Sequence, residues 1–424
     1  MMFTLGLLPL ALLGLGFPFF LVLLATAAVV VAGFGSMPPT VLHQVMFSSV
    51  DKFALLAVPF FIFAGDLMGR GGVSRRLIRW VTASLGSVRG ALPFTALGTT
   101  VVFSAVSGST AATVASVGSL TYERMVKDGY SPRFASGLIV SAAAADNLIP
   151  PSIGFILYGI ASDTSIVKLF AAGLVPGLLL ALFYGVYIWW YTGRSSAGRG
   201  APFTLREFLA ATRDGIWSLA APVAVLGGIY AGLFSPTEAA GIACLYALLV
   251  VGLVYREITW KEIWASAGRS MYLTAQVMVI VAAAGVFSWL LTTNGIPQML
   301  VGFVTGIDVP PWAVLLAINL LLLAVGMALD TTSAILVLTP LLVPIGRAIG
   351  VDPVHFGVIL VFNLSIGTFT PPFGINLFVG QAVFKIPLAE ICRGALPFIA
   401  VAVAALMVVT YVPSLSLWIL RLLA

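Results

Sequence analysis

The stretches Asn147-Leu148-Ile149-Pro150-Pro151-Ser152 and Thr368-Phe369-Thr370-Pro371-Pro372-Phe373-Gly374 decide how this chain folds. Each sets a double proline deep inside an apolar segment, and the two pairs lie 221 residues apart. The same offset aligns Gly129 with Gly350, Pro132 with Pro353, Gly159 with Gly380, Gly173 with Gly394 and Pro176 with Pro397. No gap is needed between Thr110/Thr331 and Pro176/Pro397. Inside a helix, proline and glycine cost about 3 and about 1 kcal/mol relative to alanine. Two halves that break their helices at matching places read as an internal repeat. In a membrane protein such paired interruptions point to a transporter's binding site.

Composition places the chain in a bilayer. Of 424 residues, 60% are hydrophobic and 8% charged, and the mean hydropathy is +1.11. Apolar runs of about 20 residues, enough to cross a ~30 Å core, recur along the whole length. The expectation is an all-α polytopic membrane protein with no large soluble domain. Cys244 and Cys392 lie in or beside apolar segments and read as small core residues. The N-terminus, Met1 to Val31, lacks the basic region and cleavage site of a secretory signal and reads as a retained membrane segment. Gly16-Phe17-Pro18 either interrupts one tilted crossing or divides two short helices.

Two apolar stretches, 91–122 and 312–346, are interrupted midway by Ser107-Gly108-Ser109-Thr110 and by Asp330-Thr331-Thr332-Ser333. Each is either a crossing or a hairpin that enters and leaves on one side. As hairpins, they leave Lys52, Lys168, Arg347 and Arg421 outside and put the other 17 of 21 basic residues, including Arg194, Arg199 and Arg206, on the cytoplasmic side. As single crossings, they put 8 inside and 13 outside. Cytoplasmic loops carry the excess of Lys and Arg, so the hairpin reading wins. The first hairpin then opens from the cytoplasm and the second from outside: an inverted repeat with two re-entrant hairpins and two broken helices, as in secondary transporters. The polar-flanked segments Thr40–Lys52, Glu257–Arg269 and Phe203–Gly215 read as interfacial helices.

Non-helical backbone at membrane depth is tolerated where it is buried in protein or lines a cavity. A proline removes one N–H and frees a carbonyl a turn earlier. The freed carbonyls and neighbouring hydroxyls are hard oxygen donors, suited to sodium where carboxylates are few. Tip plus broken helix gives a first candidate sodium site at Ser107, Gly108, Ser109, Thr110, Asn147, Pro150 and Ser152. The second comprises Asp330, Thr331, Thr332, Ser333, Thr368, Thr370, Pro371 and Gly374. Charged groups at depth are functional by default. Asp330 is either an ion ligand or the cap of the returning arm. Asp146 can bind a cation, carry a proton or cap a half-helix. Asn363 and Asn376 flank the second break and, with Asp146, are candidates to lie near solute. Asp66 reads as a surface pair with Arg70, and Glu238 as a helix cap after Ser235-Pro236-Thr237. His43 and His355 read as isolated structural residues near the water boundaries. No transition-metal spacing, cofactor motif, hydrolase motif or phosphate loop occurs, which argues against an enzyme and against phosphate-driven pumping.

The segments FSAVSGSTAATVASVG (103–118), IPPSIGFILYG (149–159), LFAAGLVPGLLLA (169–181), GGIYAGLFSPTEAAG (227–241), MALDTTSAILVLTPLLVP (327–344) and NLSIGTFTPPFGINLFV (363–379) closely resemble the large membrane subunit of TRAP transporters, the tripartite ATP-independent periplasmic carriers. The resemblance covers essentially the whole chain. It implies a bacterial inner-membrane permease that works with a small four-helix membrane subunit and a periplasmic substrate-binding protein. It also implies sodium-coupled import of organic acids such as C4-dicarboxylates, sialic acid or keto acids. An elevator mechanism is implied too, with Na+ as coupling ion and the organic acid between the two sodium sites. The expected division is 1–52 (N-terminal scaffold and first interfacial helix), 53–165 (first transport half), 166–270 (scaffold and second interfacial helix), 271–386 (second transport half) and 387–424 (C-terminal scaffold helix). One departure stands out: the family usually has small neutral residues where this chain has Asp146-Asn147. The small subunit's helices are not recognisable in the chain, so a fused form is not expected. The alternative is an autonomous sodium/anion symporter of the same fold superfamily.

Overall fold

The computed structural model describes residues 2–34, 38, 40–194, 200, 202–307 and 309–423; Arg199 lies outside them. At the N-terminus, α1 (Met2–Gly14) and α2 (Phe19–Phe34) are separate helices divided at residues 15–18, which settles the choice in favour of two short segments. After α3 (Thr40–Val50) come α4 (Ala57–Arg70) and α5 (Val73–Leu85). The first hairpin is α6 (Ala91–Ser107) and α7 (Thr110–Lys127). Next, α8 (Pro132–Ala142) runs through a 3-10 turn at Ala143–Asn147 and the double proline into α9 (Ile153–Ser162). The middle of the chain is α10 (Ile166–Gly193), α11 (Leu205–Tyr230), α12 (Pro236–Leu249), α13 (Trp260–Thr293) and α14 (Ile296–Gly306). The second hairpin is α15 (Pro311–Gly326) and α16 (Thr331–Ala348). Then α17 (Pro353–Gly367) and α18 (Ile375–Phe384) flank the second double proline, and α19 (Leu388–Tyr411) and α20 (Ser414–Leu423) follow. Both Pro–Pro peptide bonds are cis.

The repeat reaches the capping residues. Ser109 accepts a hydrogen bond from Ala112 N at the start of α7, and Asp330, 221 residues on, accepts from Ser333 N at the start of α16. Ser131 and Asp352 cap α8 and α17 in the same relation. Each satisfies a backbone N–H that the first helical turn leaves free. Glu238 closes a capping box with Ser235, as the sequence predicts.

Two expectations need redrawing. Glu257–Arg269 and Phe203–Gly215 do not form separate interfacial helices: Trp260–Arg269 is the first part of the 34-residue α13, and Leu205–Gly215 the first part of the 26-residue α11. Strong N-terminal caps at Thr259 and Thr204, with no break before the apolar run, let each helix continue. Conversely, α5 and α14 were not foreseen. Val73, Leu77, Ile78 and Val81 form the buried stripe of α5 while Arg75 and Arg79 face away, a helical period hidden among charges. One group joins the hairpins and broken helices to α10, α19 and α20: α10 packs on α20, α19, α17, α6 and α9, and α19 packs on α8, α10, α17 and α18. A second group, α2, α3, α4, α11, α12 and α13, packs mainly on itself. It meets the first group through α4 and α5 on the first hairpin and through α13 and α14 on α16.

Contacts at the helix ends show the inversion. Two ion-pair clusters lie on one face: Asp66 bridges Arg70 at 3.1 Å and Arg269 at 3.0 Å, and Arg75, Arg76 and Arg79 meet Glu257, Asp214 and Glu207 in a chain of pairs. At the start of the first hairpin, Gly90 lies against Thr192 at the end of α10. Arg133, just after that hairpin, pairs with Glu390 at the start of α19. The far end of α19 is the opposite face. There the Tyr411 hydroxyl donates to Trp312 O at 3.0 Å, at the start of the second hairpin. At that hairpin's other end, Arg347 donates to Ser162 O at 3.4 Å. Each hairpin thus begins and ends on one face, and the two faces differ. In a chain with Cys244 and Cys392 replaced by alanine, Asp128→Cys and Ala348→Cys should react with an impermeant maleimide from opposite sides of the membrane. Labelling of both from one side would refute the inversion.

Candidate ion and solute site

The first hairpin is sealed into the bundle. α6 has 17 residues, about 25 Å at 1.5 Å per residue, so its tip ends within the bilayer. Gly108 turns the chain at φ +61, a conformation glycine adopts without penalty. A side chain there would come within 3.1 Å of Pro151 O, so tip and broken helix touch. On the other side, α4 presses against the tip: a Cβ on Gly65 would lie 2.4 Å from Ser107 O, and one on Gly69 2.7 Å from Ser116 Oγ. The Gly65/Gly69 pair is thus a close-packing surface whose partner is the hairpin. Residues 141–152 are buried throughout.

Most hydroxyls of this first cluster bond nearby backbone. Ser107 Oγ donates to Ser109 O at 3.2 Å, and Ser152 Oγ donates to Asn147 O at 2.6 Å while capping α9. Thr110 and Pro150 are buried beside them. Asn147 Nδ2 has no hydrogen-bond partner. Asp146, the residue before it, is fully buried, and neither carboxylate oxygen has one either.

The second cluster is built alike but lies open. Thr331 Oγ1 reaches Leu364 O at 3.5 Å, joining the tip to α17. Below the tip the backbones of the hairpin and α17 meet glycine to glycine: a Cβ on Gly367 would run into Gly326 O. Thr368 and Thr370 donate to Ser365 O and Ile366 O at 2.7 and 2.6 Å. Gly374 N closes the turn onto Thr370 O at 3.1 Å. Asp330 caps α16 through Oδ2 at 3.0 Å and is itself exposed. Thr332 and Pro371 are half-buried, and Ser333 Oγ is buried without a partner. Phe373, between the double proline and Gly374, is 64% exposed.

The two asparagines part company. Asn376 Nδ2 donates to Val140 O at 3.0 Å and Thr368 Oγ1 at 3.2 Å, tying the second broken helix to the first, and its Oδ1 is unpartnered. Asn363 instead faces α15, donating to Asn319 Oδ1 at 2.6 Å, and Asn319 continues to Thr410 Oγ1 at 3.2 Å. Asn363 belongs to a buried strut between α15, α17 and α19. His355, in the first turn of α17, is buried, with Nε2 3.3 Å from Thr410 O near the far end of α19. Sequence reasoning passed over Ser104 and Thr113, whose hydroxyls face Asp146. Their one signal was their place one turn to either side of the Ser107–Thr110 tip. A cavity of about 340 Å³ lies away from both tips, among Arg75, Arg79, Arg124 and Glu207. A void of about 10 Å³ lies between Pro151, Ala105, Val106 and α4.

Over residues 6–415 the sequence matches the family described as tripartite ATP-independent periplasmic transporter, DctM component. The chain belongs to this family. The C4-dicarboxylate TRAP transporter large permease protein DctM of Pseudomonas aeruginosa is 42% identical over 372 residues, 88% of this chain and 87% of that one. The ectoine/5-hydroxyectoine TRAP transporter large permease protein UehC of Ruegeria pomeroyi is 38% identical over 418 residues, 98% of each. The isethionate TRAP transporter permease protein DctMQ of Oleidesulfovibrio alaskensis is 40% identical over 396 residues, and this chain spans 62% of its length. The YdaH transporter of Alcanivorax borkumensis shares the fold, with a TM-score of 0.66 at 16% identity over 95% of this chain and 97% of that one. The chain is thus a transporter component and not an enzyme.

In this DctM-family chain the glycine contacts give a direct test. Gly65→Ala forces a methyl group into Ser107 backbone, and Gly367→Ala does the same at Gly326. Each should destabilise the purified protein by about 1–3 kcal/mol, the usual cost of overpacking, measured as a lowered unfolding midpoint in detergent. Gly227→Ala, inside α11 with nothing within 4 Å of its Cβ, should not lower stability and can raise it by up to about 1 kcal/mol.

Proposed function

We propose that this chain is the large permease subunit of a binding-protein-dependent importer of small organic acids, driven by a sodium gradient. The observation that carries the reading is the contact of two oppositely entering hairpin tips, rich in hydroxyls, with two proline-broken helices inside one bundle. Such sites offer many neutral oxygens and almost no carboxylate, which suits a monovalent cation, while half-helix N-termini favour an anionic solute. The relatives' solutes, C4-dicarboxylate and isethionate among them, support a small acid. Sodium would lie at Ser107–Thr110 with Asn147–Ser152, and at Asp330–Ser333 with Thr368–Gly374. The partners are a small four-helix membrane subunit and a periplasmic substrate-binding protein, in a bacterial inner membrane. The moving body is α6–α10 with α15–α20, sliding as an elevator against α2–α4 and α11–α13, with α5 and α14 as the arms between them. This grouping follows the packing, and it carries both tips and both breaks on one body.

Two experiments test this. In proteoliposomes, uptake of labelled C4-dicarboxylates, isethionate or keto acids should require the small subunit, the binding protein and an inward sodium gradient together. Uptake by the chain alone would favour the autonomous symporter. Asp330→Ser retains a helix-capping oxygen, as Ser109 does in the first half, and removes only the charge. It should raise the sodium concentration for half-maximal uptake about tenfold or more, as loss of a ~1.5–3 kcal/mol charged contact implies. An unchanged sodium dependence would make Asp330 a cap and nothing more.

A further inference from the structure

Asp146 stands where the second half has Gly367, its counterpart at the offset of 221. At Gly367 no side chain fits, because the Gly326 backbone of the second hairpin occupies the space. The first-half residue matching Gly326 is Ala105, which packs on Ala145 and Ile149. Here the hairpin leaves room for a whole aspartate. The Asp146 carboxylate is 0% exposed and neither oxygen has a hydrogen-bond partner. The Ser104 and Thr113 hydroxyls face it from the two arms of the hairpin. Ser104 gives its proton to Thr100 O at 2.8 Å, which leaves its lone pairs free, and Thr113 Oγ1 has no partner at all.

A buried carboxylate without a counter-charge is strongly disfavoured. An ionisable group at membrane depth is there for function unless shown otherwise. The surrounding donors are hard oxygens, which exclude soft metals. One carboxylate balances one monovalent charge, whereas a divalent ion would leave a net charge buried. We propose that Asp146, Ser104 and Thr113 hold a sodium ion between the arms of the first hairpin and the 3-10 turn. This is a third site beside the two at the tips, with no counterpart in the second half. It rests on the sodium-coupled reading and adds one ion to it.

The test counts ions. Saturation binding of radiolabelled sodium is measured on the purified full chain with its small subunit, and again on Asp146→Asn. The variant should bind one sodium fewer per chain and keep the rest. An equal count would overturn the third site while leaving the tip sites standing. So would a wild type that takes up a proton, and no sodium ion, at this position, read with a pH-sensitive dye. No sodium binding by the wild type would overturn the sodium reading as a whole. Should Asp146→Asn fail to fold, Thr113→Val keeps the carboxylate and removes one donor. It should leave the ion count intact but raise the sodium concentration for half-saturation, and an unchanged value would overturn the assignment.

Discussion

The structure depends on one constraint: backbone that leaves the helix inside a bilayer must be enclosed by protein. The chain breaks its helices at two hairpin tips and two double prolines, and nearly every other feature answers that requirement. The breaks are brought together in pairs, so that each encloses the other. Ser109 and Asp330, at repeat-related positions, cap the helix starts that the tips create, and Ser152 caps the one after the first double proline. A serine hydroxyl then takes up a carbonyl released by the prolines: Pro151 has no N–H to offer Asn147 O, and Ser152 Oγ donates to it instead.

Enclosure requires close approach, and in an apolar solvent close approach falls to glycine. Three contacts have no side chain between the backbones they join: Gly65 against Ser107, Gly326 against Gly367, and Gly394 against Arg133 and Gly137. They lie at a tip, beneath a tip, and where α19 crosses α8. Dispersion and fit at these points do the work that the hydrophobic effect does in water. A single methyl group is therefore a large perturbation here. Charge orders a different part of the molecule. The two clusters around Asp66 and around Asp214 and Glu257 gather four helices on one face, and their exposed pairs contribute little stability individually. Their value is in fixing which face stays on the basic side.

How much of this was legible follows from which signals survive in sequence. The double prolines and the charge count carry the repeat, the hairpins and their inversion, because proline position and loop charge are nearly independent of packing. The caps were legible too: Ser235 with Glu238 forms the expected box. α5 was not seen, since Arg75, Arg76 and Arg79 mask its apolar stripe when the stretch is read as a charged loop. The direction of Asn363 was hidden as well. Nothing in the sequence distinguishes an asparagine facing solute from one bonded to Asn319, which lies 44 residues away. The same limit applies to Ser104 and Thr113, which matter only because the fold sets them around Asp146.

The two halves share a topology but not a degree of closure. At the offset of 221, Gly65 and Gly69 of α4 correspond to Val286 and Leu290 of α13. The glycines let α4 lie directly on the tip and second arm of the first hairpin, whereas α13 carries buried side chains at those positions. The first break is sealed over residues 141–152, while Asp330, Pro372 and Phe373 remain exposed at the second. An inverted repeat whose halves were equally sealed would be symmetric about the midplane and would present the same access to both sides. Unequal sealing removes that degeneracy. The buried charge lies in the sealed half and the exposed one in the open half, so under the proposed coupling the open tip is where an ion can still exchange with water and the sealed one is where it is held.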